Sequence, residues 1–116
     1  MKIVINDSHG GFGLSDDYFK VFLERKGIEY TTTPLSWGGY EDHKLLFYRK
    51  DDQSCMQSWE IERNDPVLIE LFEELGDKIC SWAASFKIVE IPDDVEWEIE
   101  DYDGLEWVSE KHRTWR

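Results

Sequence analysis

The sequence contains little cysteine and no long hydrophobic run. Its only cysteines, Cys55 and Cys80, lie far apart and lack the close spacing of a metal-binding pair. We therefore expect two reduced thiols, as is usual in a cytosolic protein. The apolar stretch at residues 1–6 is too short for a signal peptide, and no run approaches the roughly 20 residues of a membrane span. These absences predict a cytoplasmic protein without a disulfide or a membrane-spanning helix.

Basic side chains are scarce as well. The chain has 13 Lys and Arg residues against 26 Asp and Glu residues, for a formal net charge of −13 at pH 7. Such a surface repels phosphate groups, which argues against direct binding to nucleic acid or to an anionic membrane. The acidity serves solubility, or it favours a basic protein partner.

Histidine gives no catalytic or metal-binding pattern. His9, His43 and His112 show no paired ligand spacing, and no local signature joins one of them to a cysteine as a catalytic dyad. Carboxylates are so frequent that two of them lying close together would not indicate acid–base catalysis. We expect no enzyme activity, no cofactor and no metal site.

The 116 residues, 41% of them hydrophobic and 15% aromatic, predict one folded domain spanning 1–116. The alternation or helical spacing of apolar residues, together with the turn residues, predicts the helices and strands in chain order. They are strand 2–6, helix 16–26, strands 28–33 and 45–48, a strand or extended arm at 59–62, helix 65–80, strand 87–91 and a hairpin of 95–100 with 105–108. This order indicates an α+β fold, with an antiparallel or mixed sheet, two helices packed on one face and a C-terminal acidic β-hairpin.

Helix boundaries have local signals. Ser15 is a good N-cap, and Asp65 followed by Pro66 combines a cap with a proline at the first helical position. In the second helix, apolar residues recur at helical spacing: Leu68, Phe72, Leu75, Ile79 and Trp82. Because this stripe keeps its phase past Gly76, we expect the helix to continue to about Cys80.

A glycine-rich loop joins the first strand to the first helix. Such a loop can direct backbone N–H groups at an anion, next to the positive end of a helix dipole. The predicted ligand-binding residues in this loop are Gly10, Gly11, Phe12, Gly13 and Ser15. The loop lacks the Lys-Ser or Lys-Thr of a P-loop and the dinucleotide fingerprint. The alternative is a tight strand-to-helix turn without a ligand.

The C-terminal tail collects basic and aromatic residues in an otherwise acidic chain. Arginine offers a planar fork for a phosphate, and tryptophan offers a face on which a base can stack. We expect His112, Arg113 and Trp115 to complete the pocket that the glycine loop begins, within one chain or across a homo-oligomer interface. The alternative is that the tail pairs with the chain's own acidic hairpin.

The region 93–110 is acidic and contains no Lys or Arg. Like charges at alternate strand positions repel one another, and a basic partner would relieve this repulsion. The candidate protein-interaction residues are Glu96, Glu98, Glu100, Asp101, Asp103 and Glu106. The alternative is a solvated strand face opposite Lys87, Lys111 and Arg113.

Motifs spread along the chain carry a family resemblance. They are residues 2–6, the Gly-Gly-Phe-Gly-Leu-Ser segment at 10–15, residues 65–68, residues 87–99 and the Glu-Lys-His-Arg-Thr-Trp segment at 110–115. The chain resembles a family of small proteins from bacteriophages and prophage-bearing bacteria, over nearly its whole length apart from 34–63. The resemblance implies a phage origin, hence the cytoplasm of an infected or prophage-bearing cell, and favours a counter-defence role.

Together these features predict a non-enzymatic binding protein. The leading hypothesis is that the glycine loop and the tail sequester a nucleotide-like small molecule that carries a phosphate. The alternative is an acidic inhibitor that imitates nucleic acid and occupies a basic groove of a host or defence protein through the 93–110 hairpin.

Overall fold

The computed structural model describes residues 1–34, 45–82 and 84–110. Its elements are β1 (Lys2–Asn6), α1 (Asp16–Arg25), β2 (Tyr30–Pro34), β3 (Leu45–Arg49), β4 (Cys55–Met56), a 3₁₀ turn (Ser58–Glu60), α2 (Pro66–Leu75), a second 3₁₀ turn (Gly76–Ile79), β5 (Phe86–Glu90), β6 (Trp97–Tyr102) and β7 (Leu105–Glu110). The expected strand or extended arm at 59–62 is therefore replaced by a 3₁₀ turn.

In the described segments the strands form three small antiparallel sheets. β1 pairs with β5, β2 and β4 flank β3, and β6 pairs with β7. In the first sheet Val4 lies opposite Ile88, and in the second Thr32 lies opposite Phe47. The predicted α+β class, with antiparallel pairing, two helices and a C-terminal hairpin, is confirmed, while the strands are divided among three sheets.

The core lies between β1, the two helices and β3. Ile3, Val4 and Ile5 of β1 are fully buried, and α2 packs against both β1 and α1. Each large apolar side chain buried in this way stabilises the fold by about 1.5–3 kcal/mol. The buried hydrophobic cluster contains Val4, Phe12, Leu14, Phe19, Phe22, Leu23, Phe47, Leu68, Leu71, Ile79 and Phe86.

Helix α1 follows its sequence signals closely. Ser15 occupies the N-cap position with extended backbone angles, although its side chain makes no capping hydrogen bond. Phe19, Phe22 and Leu23 form the buried face, and Gly27 lies beyond the C-terminus with φ +73°. Only glycine adopts that backbone region without strain, so the chain turns there into β2.

Helix α2 begins as predicted and ends early. The Asp65 carboxylate accepts hydrogen bonds from the backbone N–H groups of Val67, at 2.8 Å, and of Leu68, at 3.4 Å. The predicted continuation to Cys80 is wrong, because Gly76 takes a positive φ of 64° and the chain proceeds as a 3₁₀ turn. Ile79 remains buried, but the side chain of Trp82 is 94% exposed.

The predicted turn of the C-terminal hairpin is present. β6 and β7 are joined by Asp103 and Gly104, whose φ values are +50° and +90°. Two consecutive residues with positive φ match the twist of a two-residue hairpin, and Asp-Gly is a preferred sequence for it. The turn brings Gly104 directly against the glycine-rich loop.

Candidate functional site

The glycine-rich loop is held in place by Asn6, a fully buried polar residue at the end of β1. Its side-chain amide donates to the carbonyl oxygens of Ser8 and Gly104, both at 2.8 Å. Its side-chain oxygen accepts from the backbone N–H of Ser85 at 3.1 Å. One buried side chain thus joins the loop, the hairpin turn and the segment that leads into β5.

One side of the loop is occupied by the hairpin turn. A Cβ atom built on Gly104 would lie 2.7 Å from the backbone nitrogen of Gly11 and 2.8 Å from the carbonyl oxygen of His9. At Gly11 a Cβ would meet nothing within 4 Å, so glycine is favoured there by its positive φ of 80° and not by a close contact. Around His9 and Gly11 the loop backbone therefore packs directly against the hairpin turn.

Two of the predicted site residues take part in packing at this junction. The Phe12 ring stacks on Phe86, with ring centroids 4.7 Å apart, and the Arg63 guanidinium lies over its other face, 3.5 Å from the centroid. Arg63 forms a two-pronged ion pair with Glu106, whose carboxylate also accepts from the N–H of Asn6 at 2.7 Å. Phe12 and Glu106 are thus engaged inside the fold.

The other side of the loop borders a groove of about 560 Å³. Phe19 and Phe47 contribute apolar side chains to its lining. We call it the serine–tryptophan groove, after the residues on which its chemistry depends: Gly13, Ser15, Ser58, Trp59, Ser81 and Trp82. Its volume falls in the range of small-molecule sites, roughly 300–1,000 Å³.

Hydrogen bonds fix the edges of this groove. The Ser58 hydroxyl oxygen accepts from the N–H of Leu14 at 3.0 Å, and the N–H of Ser81 donates to the carbonyl oxygen of Gly13 at 2.9 Å. A Cβ on Gly13 would lie 3.0 Å from the Ser81 hydroxyl and 3.5 Å from that of Ser58. Gly13 is buried, and its lack of a side chain lets both serines approach the loop closely.

The aromatic side chains of the groove are exposed to solvent. Trp82 is 94% and Trp59 is 60% exposed, although tryptophan has a large apolar surface. The apolar stripe placed Trp82 on a buried helix face, and we did not predict either serine–tryptophan pair as part of a site. A repeated Ser-Trp dipeptide, at 58–59 and 81–82, is the signal that could have revealed them; a third copy at 36–37 lies outside the described residues.

The described lining of the groove carries little charge. It contains no Lys or Arg, and its one charged side chain is Asp16, whose carboxylate accepts from the N–H of Leu45 at 2.8 Å. The groove nevertheless adjoins the first turn of α1, where a helix dipole is positive. Hydroxyl groups and exposed rings beside a helix N-terminus suit a planar group that also hydrogen-bonds.

Another depression, of about 670 Å³, lies between β1 and α2. Its charged groups are already paired: Lys2 contacts Glu73 at 3.0 Å, and Glu70 and Glu74 both contact Arg25. None of the predicted site residues lies there. The serine–tryptophan groove is the better candidate.

Most of the acidic residues of the hairpin are exposed. Among the described residues, no cation pairs with the carboxylates of Glu96, Glu98, Glu100, Asp101 or Asp103. Lys87, one of the cations that the alternative places opposite this strand, has its ammonium group 3.6 Å from the Asp7 carboxylate. Other predicted neighbours and site residues, Lys111, His112, Arg113 and Trp115, lie outside the described part of the chain.

Cys80 is a poor nucleophile. Burial, and then a hydrogen bond to Asp77, raises the pKa of the Cys80 thiol to about 12. A thiol with that pKa is protonated at neutral pH, whereas catalytic cysteines act as thiolates. Within residues 1–34, 45–82 and 84–110, no group of three His, Cys, Asp or Glu side chains is arranged to hold a metal ion.

The fold and site define an α+β protein with an aromatic, hydroxyl-lined groove and an acidic hairpin. In the described segments no helix has the length and apolar character needed to cross a membrane. No protein-family model, curated protein or solved structure matches the chain.

Proposed function

We propose that the protein binds a nucleotide-like small molecule in the serine–tryptophan groove, without catalysing a reaction. The observation that carries the proposal is the pair of exposed tryptophans, Trp59 and Trp82, at a groove of about 560 Å³. Leaving rings of this size in water is unfavourable for the free protein. A planar ligand that stacks on one or both of them would remove apolar surface from water.

The ligand's ring contributes the main contact in this proposal. Base–aromatic stacking contributes roughly 1–3 kcal/mol per base, and the hydroxyl groups of Ser15 and Ser81 can donate to or accept from ring substituents. The Ser58 hydroxyl is already bonded to the Leu14 backbone and fixes the edge of the groove. The described lining offers a phosphate only the first turn of α1, with Asp16 beside it. Recognition of the phosphate therefore depends, in this proposal, on His112 and Arg113.

The resemblance to phage proteins gives the proposal its biological setting. A small protein that sequesters a nucleotide-type immune signal in an infected bacterial cell needs affinity and abundance, and it needs no catalytic group. Counter-defence is accordingly the role that we propose.

Calorimetric titration with adenosine, AMP, ADP-ribose and cyclic dinucleotides tests the groove. We expect Trp82→Ala to weaken binding about 10-fold or more, because it removes one stacking face. Trp107→Ala is the matched control, since Trp107 is another exposed tryptophan and does not line the groove. Absence of binding by the wild type, or equal losses in both variants, would refute the proposal. Excess absorbance at 260 nm after purification would reveal a ligand carried from the cell.

A second candidate function is inhibition of a basic protein by the acidic hairpin. The observation in its favour is that five exposed carboxylates of this region have no described cation partner. Capture of a basic protein from host lysate should then weaken as salt is raised, because exposed charges are screened. If capture survives neutralisation of Glu96, Glu98 and Glu100, the hairpin is not the contact surface.

A further inference from the structure

The outer face of the β6–β7 hairpin presents acidic and aromatic side chains together. In the register of the hairpin, Glu100 lies opposite Trp107, and Glu98 and Tyr102 lie two positions away along β6, so they point to the same side. Tyr102 is 69% and Trp107 is 43% exposed, and both glutamates are exposed as well. We use the term outer face for these four residues.

This face carries uncompensated negative charge. Successive same-face residues of a strand are about 7 Å apart, so Glu98 and Glu100 repel each other. In the part of the chain that the structure describes, neither carboxylate has a cation partner; that of Glu100 accepts a hydrogen bond from the Trp107 indole N–H at 2.9 Å. The inward-pointing Glu106, in contrast, is paired with Arg63.

We propose that the outer face docks an extended segment of a protein partner that carries arginines at alternate positions. The argument is charge complementarity combined with geometry. A guanidinium group can form two parallel hydrogen bonds to a carboxylate and stack on an aromatic ring, whereas an ammonium group is a compact, strongly hydrated charge. The face supplies both kinds of contact side by side, at Glu100 and Trp107.

The spacing of the carboxylates sets the spacing of the arginines. In an extended peptide, side chains two positions apart point the same way and lie about 7 Å apart, which matches Glu98 and Glu100. An Arg-x-Arg segment can therefore place one guanidinium on each carboxylate. The inference rests on the second candidate function and adds the partner's chemistry to it.

Calorimetric titration at low salt with the capped peptides Gly-Arg-Gly-Arg-Gly and Gly-Lys-Gly-Lys-Gly tests the inference. We expect the arginine peptide to bind about 3–5-fold more tightly, because a guanidinium group stacks on Trp107 and bonds a carboxylate in two places, whereas an ammonium group is strongly hydrated. Trp107→Ala should abolish this preference and retain binding of the lysine peptide. Circular dichroism of each variant checks that the hairpin has folded.

Two double variants that remove the same amount of charge test the contribution of the outer-face carboxylates to binding. Glu98→Gln with Glu100→Gln should weaken the arginine peptide by roughly 10-fold, since it loses two charge-assisted contacts. Glu29→Gln with Glu62→Gln removes the same charge from exposed positions outside the hairpin and should change affinity less than about 2-fold, as expected for distant screened charges.

The outcomes separate the inference from the function on which it rests. Equal binding of the two peptides, both lost in the Glu98/Glu100 variant, would overturn the arginine preference and leave a basic partner as the second candidate. Binding of neither peptide, or equal losses in both double variants, would remove the two together.

Discussion

The buried ion pair between Arg63 and Glu106 predicts a large loss of stability when one partner is removed. The Arg63 side chain is 15% exposed and that of Glu106 is 8% exposed, so both charges are largely removed from water. In Glu106→Ala the guanidinium loses its counter-charge, and the backbone N–H of Asn6 loses its acceptor. Breaking a buried pair from one side costs about 3–5 kcal/mol.

This loss is a large part of the total, because domains of this size are stable by only about 5–15 kcal/mol. Urea denaturation at pH 7, followed by circular dichroism, measures it as a lower midpoint at unchanged slope. Glu106→Gln keeps an acceptor for Asn6 and should lose less, about 1.5–3 kcal/mol, the range for a hydrogen bond to a charged group. A loss below about 1 kcal/mol in Glu106→Ala would show that Arg63 reaches water on its own, contrary to this reasoning.

Three further predictions concern single positions. Gly104→Ala should destabilise the protein by at least about 2 kcal/mol in urea denaturation, because a Cβ there meets backbone atoms. Gly27→Ala is the control: Gly27 also has a positive φ but has open space around it, so this variant should lose only about 1 kcal/mol. The Cys80 thiol has a pKa of about 12, so at pH 8 it should react with a disulfide reagent at least about 10-fold more slowly than the exposed Cys55. In about 8 M urea, which unfolds the protein, the two cysteines should react at the same rate. Equal reaction rates of Cys80 and Cys55 in the folded protein would contradict the raised pKa of Cys80. Asp65→Ala should lower stability by at least about 1 kcal/mol in thermal unfolding, through loss of the α2 cap and of the ion pair with Lys26, and an unchanged midpoint would exclude the capping role.

The sequence predicts elements whose signals are local. Asp65 and Pro66 mark the start of α2 by their own chemistry, and Asp103 with Gly104 encodes the hairpin turn within two residues. The end of α2 was missed because the apolar stripe continues past Gly76, and the stripe says nothing about the backbone angle of that glycine. Local signals also do not reveal how strands are divided among sheets, since pairing depends on distant segments.

The candidate site was harder to predict because it depends on contacts between distant residues. Alternation along β7 places Glu106 on the same face as Val108, but it does not reveal the partner of Glu106, because Arg63 lies in a distant segment. Ser58 and Ser81 line the groove because the fold brings both of their side chains close to Gly13. The glycine loop remains a predicted binding element, and its glycines contact two different parts of the fold: Gly11 lies against the hairpin turn and Gly13 against Ser58 and Ser81.

Loops on protein surfaces usually tolerate insertions, because their backbone is solvated on at least one side. We expect the stretch from His9 to Gly13 to tolerate insertions poorly. Gly104 of the hairpin turn lies against His9 and Gly11, and the hydroxyl groups of Ser58 and Ser81 lie close to Gly13 at the other end of the stretch. An extra residue anywhere between would have to displace one of these neighbours, so length in this short stretch is as constrained as residue type.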